Sequence, residues 1–544
     1  MDFQRFFLFI IFFFSLFLLW DGWQRAQHPE KQGAPETRSA SSVPAVTTAS
    51  MEKLATNVVV AEQKPQEGKK ITIKTDLLAV EINTVGGDLR HLEFLQHRDA
   101  QDKNKPFVLM QDQKARTYIA QTGLLGAGLP THNAVFAAQA DEYQLIEGKD
   151  TLEVRLLATE AATAKVAKVY VFHRGSYVID VNYEIENNST TPLSPSAYFQ
   201  FVRDTTPPEG GSQFVPTYTG PAVYTEQEKF QKVDFSDIAK GKTKYPQRAD
   251  NGWIGMLQHY FVAAWLPKDK APREFYTKQL ENNLYSAGIV LPVAAIAPGQ
   301  SAKVSVPLYA GPAQISLDKV APGLGLTVDY GIFTIIANPL FWLLTFLQGW
   351  VHNWGIAIIL LTVLVKLAFF PLSAASYRSM GKMRVVAPKL EQIKKQYGDD
   401  RERLHKAMME LYKVEKINPL GGCLPVMIQI PVFIGLYWSI LESVELRYAP
   451  FFGWISDLSA ADPYYILPLI MGASMVLQTK LNPVPPDPIQ AKMMQIMPIV
   501  FSVVFFFFPA GLVLYSIVNN VLSIMQQWYI TRGLEAEAKG AAKA

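Results

Sequence analysis

A single cation lies inside a long apolar stretch of the chain. Lys366 stands within residues 354–372, WGIAIILLTVLVKLAFFPL, with Thr362 one helical turn before it. A helix rises about 1.5 Å per residue, so the lysine would lie about 7–8 Å inside a membrane-spanning helix that ends near Pro371. An ammonium among apolar helices attracts polar or anionic guests, and such residues usually face a bundle interior or a wet cavity. The alternative is that the long stem carries the charge to the nearby membrane surface.

Two further apolar stretches carry polar side chains along one face. The first, residues 420–441, has Gln429 between two prolines, and the second, residues 512–530, has four polar residues at spacings of four, three and four, from Ser516 to Gln527. One polar residue in a span commonly hydrogen-bonds another helix, whereas polar faces on three spans need a shared wet space. We therefore predict a hydrophilic groove lined by Lys366, Thr362, Gln429, Ser516, Asn519, Asn520 and Ser523.

Methionine is concentrated in the last third of the chain, where eleven of the fifteen follow Pro371. This flexible, polarizable side chain suits a surface that must accept many apolar shapes, and it also fills gaps in an ordinary core. The first interpretation predicts an apolar slide for a guest beside the groove. Its residues would be Met427, Phe433, Met471, Met475, Met494 and Met497.

Composition leaves room for a membrane part and a separate water-exposed domain. The 544 residues are 49% hydrophobic, with a mean hydropathy of +0.08, which is high for a soluble chain and low for a chain that lies wholly in a membrane. A net charge of +3 does not indicate a nucleic-acid binder. The single cysteine, Cys423, excludes an internal disulfide and a Cys-rich metal site.

The N-terminal region predicts a membrane anchor followed by a linker. Arg5 precedes an apolar run that ends at Trp20, and no small-residue cleavage site follows. This pattern indicates an uncleaved transmembrane anchor over residues 1–23. Residues 24–57 are rich in Ala, Ser, Thr and Pro without an apolar period, which predicts a flexible tether.

Residues 58–320 show the two-residue alternation of β-strands. Residues 177–185 place apolar side chains on one face, and residues 169–172 join them through the hairpin signal around Gly175. Many such strands without intervening helices predict a large antiparallel β-sandwich. Its histidines lack the spacing of HExxH or of another catalytic or metal motif, so we predict that this domain is not an enzyme.

Loop charges predict the orientation of the spans. The loop of residues 373–418 has eleven basic and six acidic residues, which places it in the cytoplasm together with the N-terminus. Only the anchor and residues 354–372 can then cross between them, so residues 326–350 are predicted to lie in the outer interface as an amphipathic helix. Four further spans complete a six-span topology with both ends in the cytoplasm: residues 420–441, 463–479, 493–508 and 512–530.

The loop of residues 373–418 is itself predicted to be a helical hairpin. Gly398 fits the end of one helix, and Asp399-Asp400 fits the N-cap of the next. Apolar stripes would pack the two helices together and leave a basic surface, which anionic lipid and ribosomal RNA both attract. This predicted cytoplasmic patch consists of Arg378, Lys382, Arg384, Lys394, Lys395, Arg401 and Arg403.

Three segments resemble the bacterial YidC membrane protein insertases, which are related to the Oxa and Albino insertases of organelles. They are NPLGGCLPVMIQIPVFIGLY at residues 418–437, SVELRYAPFFGWISDLSAADPYYILPLIMG at residues 443–472 and FPAGLVLYSIVNNVLSIMQQ at residues 508–527. The match extends over about residues 350–532. The order of anchor, β domain and five further spans resembles the Gram-negative form of the family.

The resemblance implies an inner-membrane protein with a five-helix core over residues 351–532 and a groove that opens only to the cytoplasm. Lys366 takes the position of the family's groove cation, where many relatives have arginine, so the charge is kept and the bidentate fork is lost. The β domain resembles the family's periplasmic, mutarotase-like sandwich. The tail of residues 533–544 is short and has two lysines against two glutamates, so we expect weak ribosome contact through the cytoplasmic loops instead.

The predicted function is therefore that of a membrane protein insertase. A nascent membrane protein would enter the groove from the cytoplasm and leave into lipid, with or without the Sec translocon. We predict no enzymatic reaction, cofactor or metal, and no nucleotide-binding GxxxxGK[ST] motif occurs. The alternative is an ion or solute transporter that uses Lys366 as its binding charge, although the internal repeats typical of transporters are not found.

Overall fold

The computed structural model describes residues 68–99, 102–113, 115–161, 163–208, 217–268, 270–398, 400–415, 424–482 and 488–541. The predicted anchor of residues 1–23 and the predicted tether of residues 24–57 lie outside these ranges. So do Cys423 and the last three residues of the tail. The described residues form a β domain followed by a group of helices.

The β domain consists of strands from Lys70 to Pro312. In chain order the strands are β1 (Lys70–Lys74), β2 (Leu78–Asn83), β3 (Asp88–Arg98), β4 (Pro106–Gln113), β5 (Arg116–Leu125), β6 (Phe136–Ala138), β7 (Glu142–Gln144), β8 (Thr151–Ala158), β9 (Ala164–His173), β10 (Val178–Asn187), β11 (Ser196–Asp204), β12 (Gly220–Thr225), β13 (Lys229–Lys232), β14 (Arg248–Ala249), β15 (Trp253–Gln258), β16 (Phe261–Trp265), β17 (Arg273–Gln279), β18 (Leu284–Pro292) and β19 (Ser301–Pro312). A short helix, α1 (Phe235–Ala239), lies between β13 and β14.

These strands form two sheets. The ten-stranded sheet has the order β14-β17-β18-β11-β5-β4-β3-β2-β1-β7, and the nine-stranded sheet has the order β13-β12-β15-β16-β19-β10-β9-β8-β6. The pairings in both sheets are antiparallel except for β1 with β7, which is parallel. The rings of Phe199 on β11 and Trp265 on β16 approach to 5.2 Å across the shared apolar core. The predicted β-sandwich is confirmed.

The hairpin signal around Gly175 is confirmed in register. Ile179 on β10 lies opposite Phe172 on β9, and Gly175 has a φ of +66° in the turn between them. This positive φ favours glycine, which has no Cβ to clash. Alternate residues of β10, such as Val181 and Tyr183, are fully buried, as the two-residue alternation predicts.

The C-terminal part is helical. Its helices are α2 (Thr334–Val351), α3 (Trp354–Ala368), α4 (Phe370–Val385), α5 (Ala387–Tyr397), α6 (Arg401–Val414), α7 (Leu424–Glu442), α8 (Ile466–Leu481), α9 (Pro488–Val504) and α10 (Ala510–Ala541). Of the two aspartates predicted to cap α6, Asp400 is the N-cap, and its side chain accepts hydrogen bonds from the backbone N–H groups of Glu402 and Arg403.

The prediction of one helix over residues 354–372 was wrong at its C-terminal end. The helix α3 ends at Ala368, and α4 leaves at an angle of 68° after Phe369. Pro371 explains the break, because inside a continuing helix its ring would clash with the carbonyl of Leu367, four residues earlier. In the first turn of a new helix the same proline is favoured.

The predicted interfacial helix begins later than residue 326. Short 3-10 turns at Leu324–Thr327 and Gly331–Phe333 precede α2, which begins at Thr334. Among the described helices, α2 alone is long and apolar enough to cross a membrane by itself, and the bent pair α3 and α4 meets the same test jointly. The six-span topology and the interfacial position of α2 stay predictions.

The segment after α7 joins the helices to the sandwich. Val444 belongs to the apolar core of the sandwich. The guanidinium of Arg447 lies 5.3 Å from the ring centroid of Phe107 and 5.6 Å from that of Phe261, both in the sandwich. Such cation–π contacts strengthen when they are removed from water. The far end of α7 is therefore anchored on the β domain.

Candidate functional site

Lys366 is held by a hydrogen bond to another helix. Its Nζ donates to the Oγ of Ser523 on α10 at 2.7 Å, and that Oγ donates in turn to the backbone O of Asn519 at 2.7 Å. The lysine side chain is half-buried, whereas Ser523 is 2% exposed. The ammonium is therefore directed toward α10 inside the helix group, and three of the predicted groove residues are brought together.

A tyrosine that the sequence prediction missed adjoins the same hydroxyl. Tyr377 on α4 is 4% exposed and lies within hydrogen-bonding reach of the Ser523 side chain. It follows the predicted span by five residues, so it was assigned to the cytoplasmic hairpin. The bend at Phe369 turns α4 back against α10 and brings this tyrosine to the site.

Four of the predicted groove residues are buried: Thr362 is 1% exposed, Ser523 2%, Asn519 4% and Ser516 8%. Two of them, Thr362 and Ser516, bond within their own helices. Each of these hydroxyls donates to the carbonyl four residues earlier, Thr362 to Ile358 at 2.7 Å and Ser516 to Leu512 at 2.9 Å. A hydroxyl that bonds within its helix needs no polar surroundings, which is why these residues fit an apolar core.

A second polar seam joins α10 to α8. The amide of Asn520 donates to Ser474 Oγ at 3.0 Å, and the amide of Gln527 donates to Asn482 Oδ1 at 2.9 Å. Ser474 and Asn482 lay outside the predicted groove set, although their polar side chains within or beside an apolar helix were a signal available in the sequence. Asn520 therefore faces α8, whereas Ser523 faces Lys366.

Gln429 lies on the face of α7 that turns toward α10. It precedes Phe433 by one helical turn, and the ring of Phe433 lies 6.4 Å from that of Tyr515 on α10 and 5.9 Å from that of Phe505. Gln429 itself is half-buried. Along α10, the apolar core contains Leu512 to Tyr515, and the polar positions follow it. The polar region is thus closed by apolar packing on the side of the β domain.

The predicted slide residues divide by burial. Met427 is 50% exposed, and Met494 and Met497 on α9 are half-buried. Met471 is 1% exposed in the apolar core, and Met475 and Phe433 pack against that core. The prediction that Met471 belongs to an accessible surface was therefore wrong, because this methionine fills the core.

The hairpin packs as its apolar stripes predict. Val386 and Tyr412 are buried together, with Leu390 and Met408 against them. The predicted patch residues other than Arg401 are exposed, and the side chain of Arg401 lies outside the described part. Arg403 is paired with Asp400 at 3.1 Å. Among the described residues, no group of three or more His, Cys, Asp or Glu is placed to hold a metal.

Comparison with known proteins identifies the family. A family model described as the YidC periplasmic domain matches residues 70–343, and one described as the 60Kd inner membrane protein matches residues 346–537. Curated membrane protein insertases named YidC from Nitrosospira multiformis and Methylobacillus flagellatus are each 56% identical to the chain. The first match covers 100% of this chain and 99% of the relative, and the second covers 100% of both. The chain belongs to the YidC membrane protein insertase family.

The YidC family is one of insertases, so the prediction that this chain is not an enzyme is confirmed, and the transporter alternative has no support among these relatives. The names of the two family models agree with an inner-membrane protein that has a periplasmic domain. Solved structures are more distant. A YidC insertase crystal structure aligns with TM-score 0.39 and 19% identity, covering 85% of this chain and 93% of that chain. A galactose mutarotase related enzyme from Lactobacillus acidophilus aligns with TM-score 0.31 and 10% identity, covering 44% and 97%.

Proposed function

We propose that this YidC-family chain receives nascent membrane proteins in a polar groove beside Lys366 and releases their apolar segments into the inner-membrane lipid. The observation that carries the proposal is the half-buried ammonium of Lys366, held 2.7 Å from Ser523 Oγ within the helix group. Placing a charge among apolar helices costs free energy, and such charges are usually kept because they have a function or a partner.

Lys366 acts on a substrate through its charge. An acidic or polar N-terminal tail loses hydration when it enters the membrane, and an ammonium about 4 Å away offsets about 4 kcal/mol of that cost at an effective dielectric constant of about 20. No covalent chemistry is required. The polar seam of Asn520 and Gln527 with α8 continues the row of polar groups toward the hairpin end of α10.

The apolar part of the substrate moves along an exposed methionine surface. Met427, Met494 and Met497 supply this surface in our proposal, and Met471 is left out because it is buried. Transfer of the segment out of water contributes about 25 cal/mol per Å² of apolar area. The flexible thioether side chains accept segments of different shapes without a fixed fit.

The membrane arrangement is part of the same proposal. Six spans, with both termini in the cytoplasm, place the β domain in the periplasm and the hairpin of α5 and α6 in the cytoplasm. The exposed basic residues of the hairpin then face anionic lipid headgroups and ribosomal RNA. In this proposal the chain also works beside the Sec translocon, and its cytoplasmic loops contact the ribosome weakly.

The charge of Lys366 is tested by reversing it. We expect Lys366→Glu to insert a substrate with an acidic tail at least about ten-fold more slowly, because attraction becomes repulsion. Lys366→Arg should keep the activity, since it keeps the charge. The measurement is protease protection of the translocated tail in proteoliposomes, for acidic-tailed and neutral-tailed versions of one substrate.

Lys165→Glu, at an exposed position of β9, makes the same change of charge in the β domain and serves as the control. Photo-crosslinking adds a direct test, with a crosslinker at Gln429 expected to capture the nascent chain and one at Trp342, which is 68% exposed on α2, expected to capture none. Unchanged insertion of the acidic-tailed substrate by Lys366→Glu would show that the attraction model is wrong.

A further inference from the structure

A cavity opens beside the last part of α10, away from Lys366. It has a volume of about 330 Å³ and is lined by Arg384, Leu481, Trp528, Thr531 and Arg532. Arg532 follows Ser523 by nine residues, which is about 13–14 Å along the helix. This volume lies at the small end of the range for small-molecule sites, about 300–1,000 Å³. The cavity is therefore separate from the Lys366 site.

The residues that line the cavity make it cationic. Arg384 comes from the last turn of α4, and Arg532 comes from α10, so two guanidinium groups from different helices reach one space. Aspartate and glutamate are absent from the described residues that line it. A planar guanidinium binds phosphate oxygens through two parallel hydrogen bonds. The lining therefore favours a phosphate-type anion.

Trp528 gives the cavity an aromatic wall. The guanidinium of Arg532 lies 5.1 Å from the ring centroid of Trp528, which orients this arginine at the rim. Trp528 is 52% exposed, and its neighbour Tyr529 is 75% exposed. Exposed Trp and Tyr at the end of an apolar helix are typical of the headgroup level of a membrane.

The cavity lies where two helices and one predicted span end. The helix α8 ends at Leu481, the predicted sixth span ends at residue 530, and Arg384 lies in the last turn of α4. In the predicted topology these ends lie at the cytoplasmic surface of the membrane, where the phosphates of the inner leaflet lie. Basic pockets between membrane helices on this side are suited to anionic headgroups.

We propose that this cavity binds the phosphate of an anionic phospholipid headgroup from the inner leaflet, with Arg384 and Arg532 as its ligands and Trp528 against the glycerol region. A lipid seated here bridges α4, α8 and α10 at the hairpin end of the helix group. The proposal rests on the cavity and on the membrane arrangement of the proposed function, and it does not depend on how Lys366 acts on a substrate.

The test is direct binding to the full-length chain in a neutral detergent, measured by native mass spectrometry. The probes are dioctanoyl-phosphatidylglycerol, dioctanoyl-phosphatidylcholine and inorganic phosphate. We expect the phosphatidylglycerol to bind, and Arg532→Gln and Arg384→Gln each to weaken its binding about ten-fold, because each removes a charge-assisted hydrogen-bonding group. Both arginines are exposed, so folding should be preserved, which gel filtration checks.

The matched control is Arg98→Gln, an exposed arginine of β3 in the β domain and outside the cavity, which should leave the phosphatidylglycerol affinity unchanged. Preference for phosphatidylglycerol over phosphatidylcholine and over inorganic phosphate would support the lipid as the source. Equal binding of inorganic phosphate would overturn the lipid source and leave a free-anion site. Equal phosphatidylglycerol binding by the unsubstituted chain and both cavity variants would overturn the site itself.

Discussion

At the residue scale, the position of Lys366 depends on a single neighbouring hydroxyl. A lysine about 7–8 Å from the end of an apolar helix can extend to the membrane surface or turn inward. The 2.7 Å contact with Ser523 Oγ directs it inward. Since Ser523 also donates to the Asn519 carbonyl, its lone pairs face the ammonium, and its hydroxyl hydrogen does not.

Removal of this acceptor should weaken the site without unfolding the helix group. We expect Ser523→Ala to slow insertion of an acidic-tailed substrate by about three- to ten-fold, because a hydrogen bond to a charged group contributes about 1.5–3 kcal/mol. Insertion of a neutral-tailed substrate should change little. Initial rates in proteoliposomes provide the measurement.

Thr345→Val is the matched control for Ser523→Ala. Thr345 on α2 also donates its hydroxyl to the carbonyl four residues earlier, Phe341, at 2.9 Å, and it is not the residue that accepts from Lys366. This variant should insert both substrates normally. Equal rates for Ser523→Ala and the unsubstituted chain would remove Ser523 as a positioning residue.

At the element scale, the first turn of α3 packs closely against a neighbouring segment because it contains a glycine. Gly355, at the beginning of α3, faces Phe451 in the segment between α7 and α8, and a Cβ at this position would lie 2.0 Å from Phe451 Cδ2. The beginning of α3 can therefore reach its observed place only with glycine. This contact lies at the end of α3 opposite Lys366.

We expect Gly355→Ala to lower the unfolding temperature of the chain in detergent, because overpacking of a well-packed core costs about 1–3 kcal/mol. Gly349→Ala is the matched control, since nothing lies within 4 Å of a Cβ at that exposed helical position. There the higher helix propensity of alanine should leave stability unchanged or raise it by up to about 1 kcal/mol. A Gly355→Ala variant as stable as Gly349→Ala would contradict the packing argument.

At the scale of the whole molecule, a buried histidine joins the β domain to the helices. His259 Nε2 donates to the carbonyl of Leu441, near the end of α7, at 2.9 Å. Burial lowers the pKa of His259 to about 4, the Leu441 carbonyl opposes this change, and the positive charge of Arg447 adds to it. The junction therefore contains a neutral histidine at pH 7.

The sign of the resulting pH dependence follows from this lowered pKa. The pKa of His259 is about 6.5 in the unfolded chain and about 4 in the folded chain. Between these two pH values the unfolded chain binds a proton at this histidine and the folded chain does not. Stability is therefore lost as the pH falls from about 6.5 to about 4. One pKa unit corresponds to about 1.4 kcal/mol, so the loss reaches about 3 kcal/mol.

His259→Gln should reduce this loss, because glutamine keeps an N–H donor for Leu441 and does not titrate. We expect its unfolding temperature to fall less than that of the unsubstituted chain between pH 7 and pH 5. Comparison of the two proteins at pH 8, where both are neutral at this position, separates the effect of the substitution from that of titration. Parallel curves over the whole pH range would contradict the assignment.

Much of the architecture was predictable because it depends on local periodicity. The alternation in β10, the turn at Gly175 and the cap at Asp400 are set by the residues themselves and by their near neighbours. The bend at Phe369 could also have been predicted, because a helix cannot continue through Pro371 without a clash. High hydropathy continues from residue 354 to residue 372 and conceals the break that this proline makes.

The candidate site was predictable in its residue types and only partly in its members. The sequence by itself determined a cation in an apolar helix, a polar row on α10 and membership of an insertase family. The tertiary structure decided that Ser523 holds Lys366, that Tyr377 joins them, and that Thr362, Ser516 and Met471 are buried. The physical reason is that helical periodicity fixes which residues share a face, whereas the crossing of helices distant in sequence fixes which faces meet.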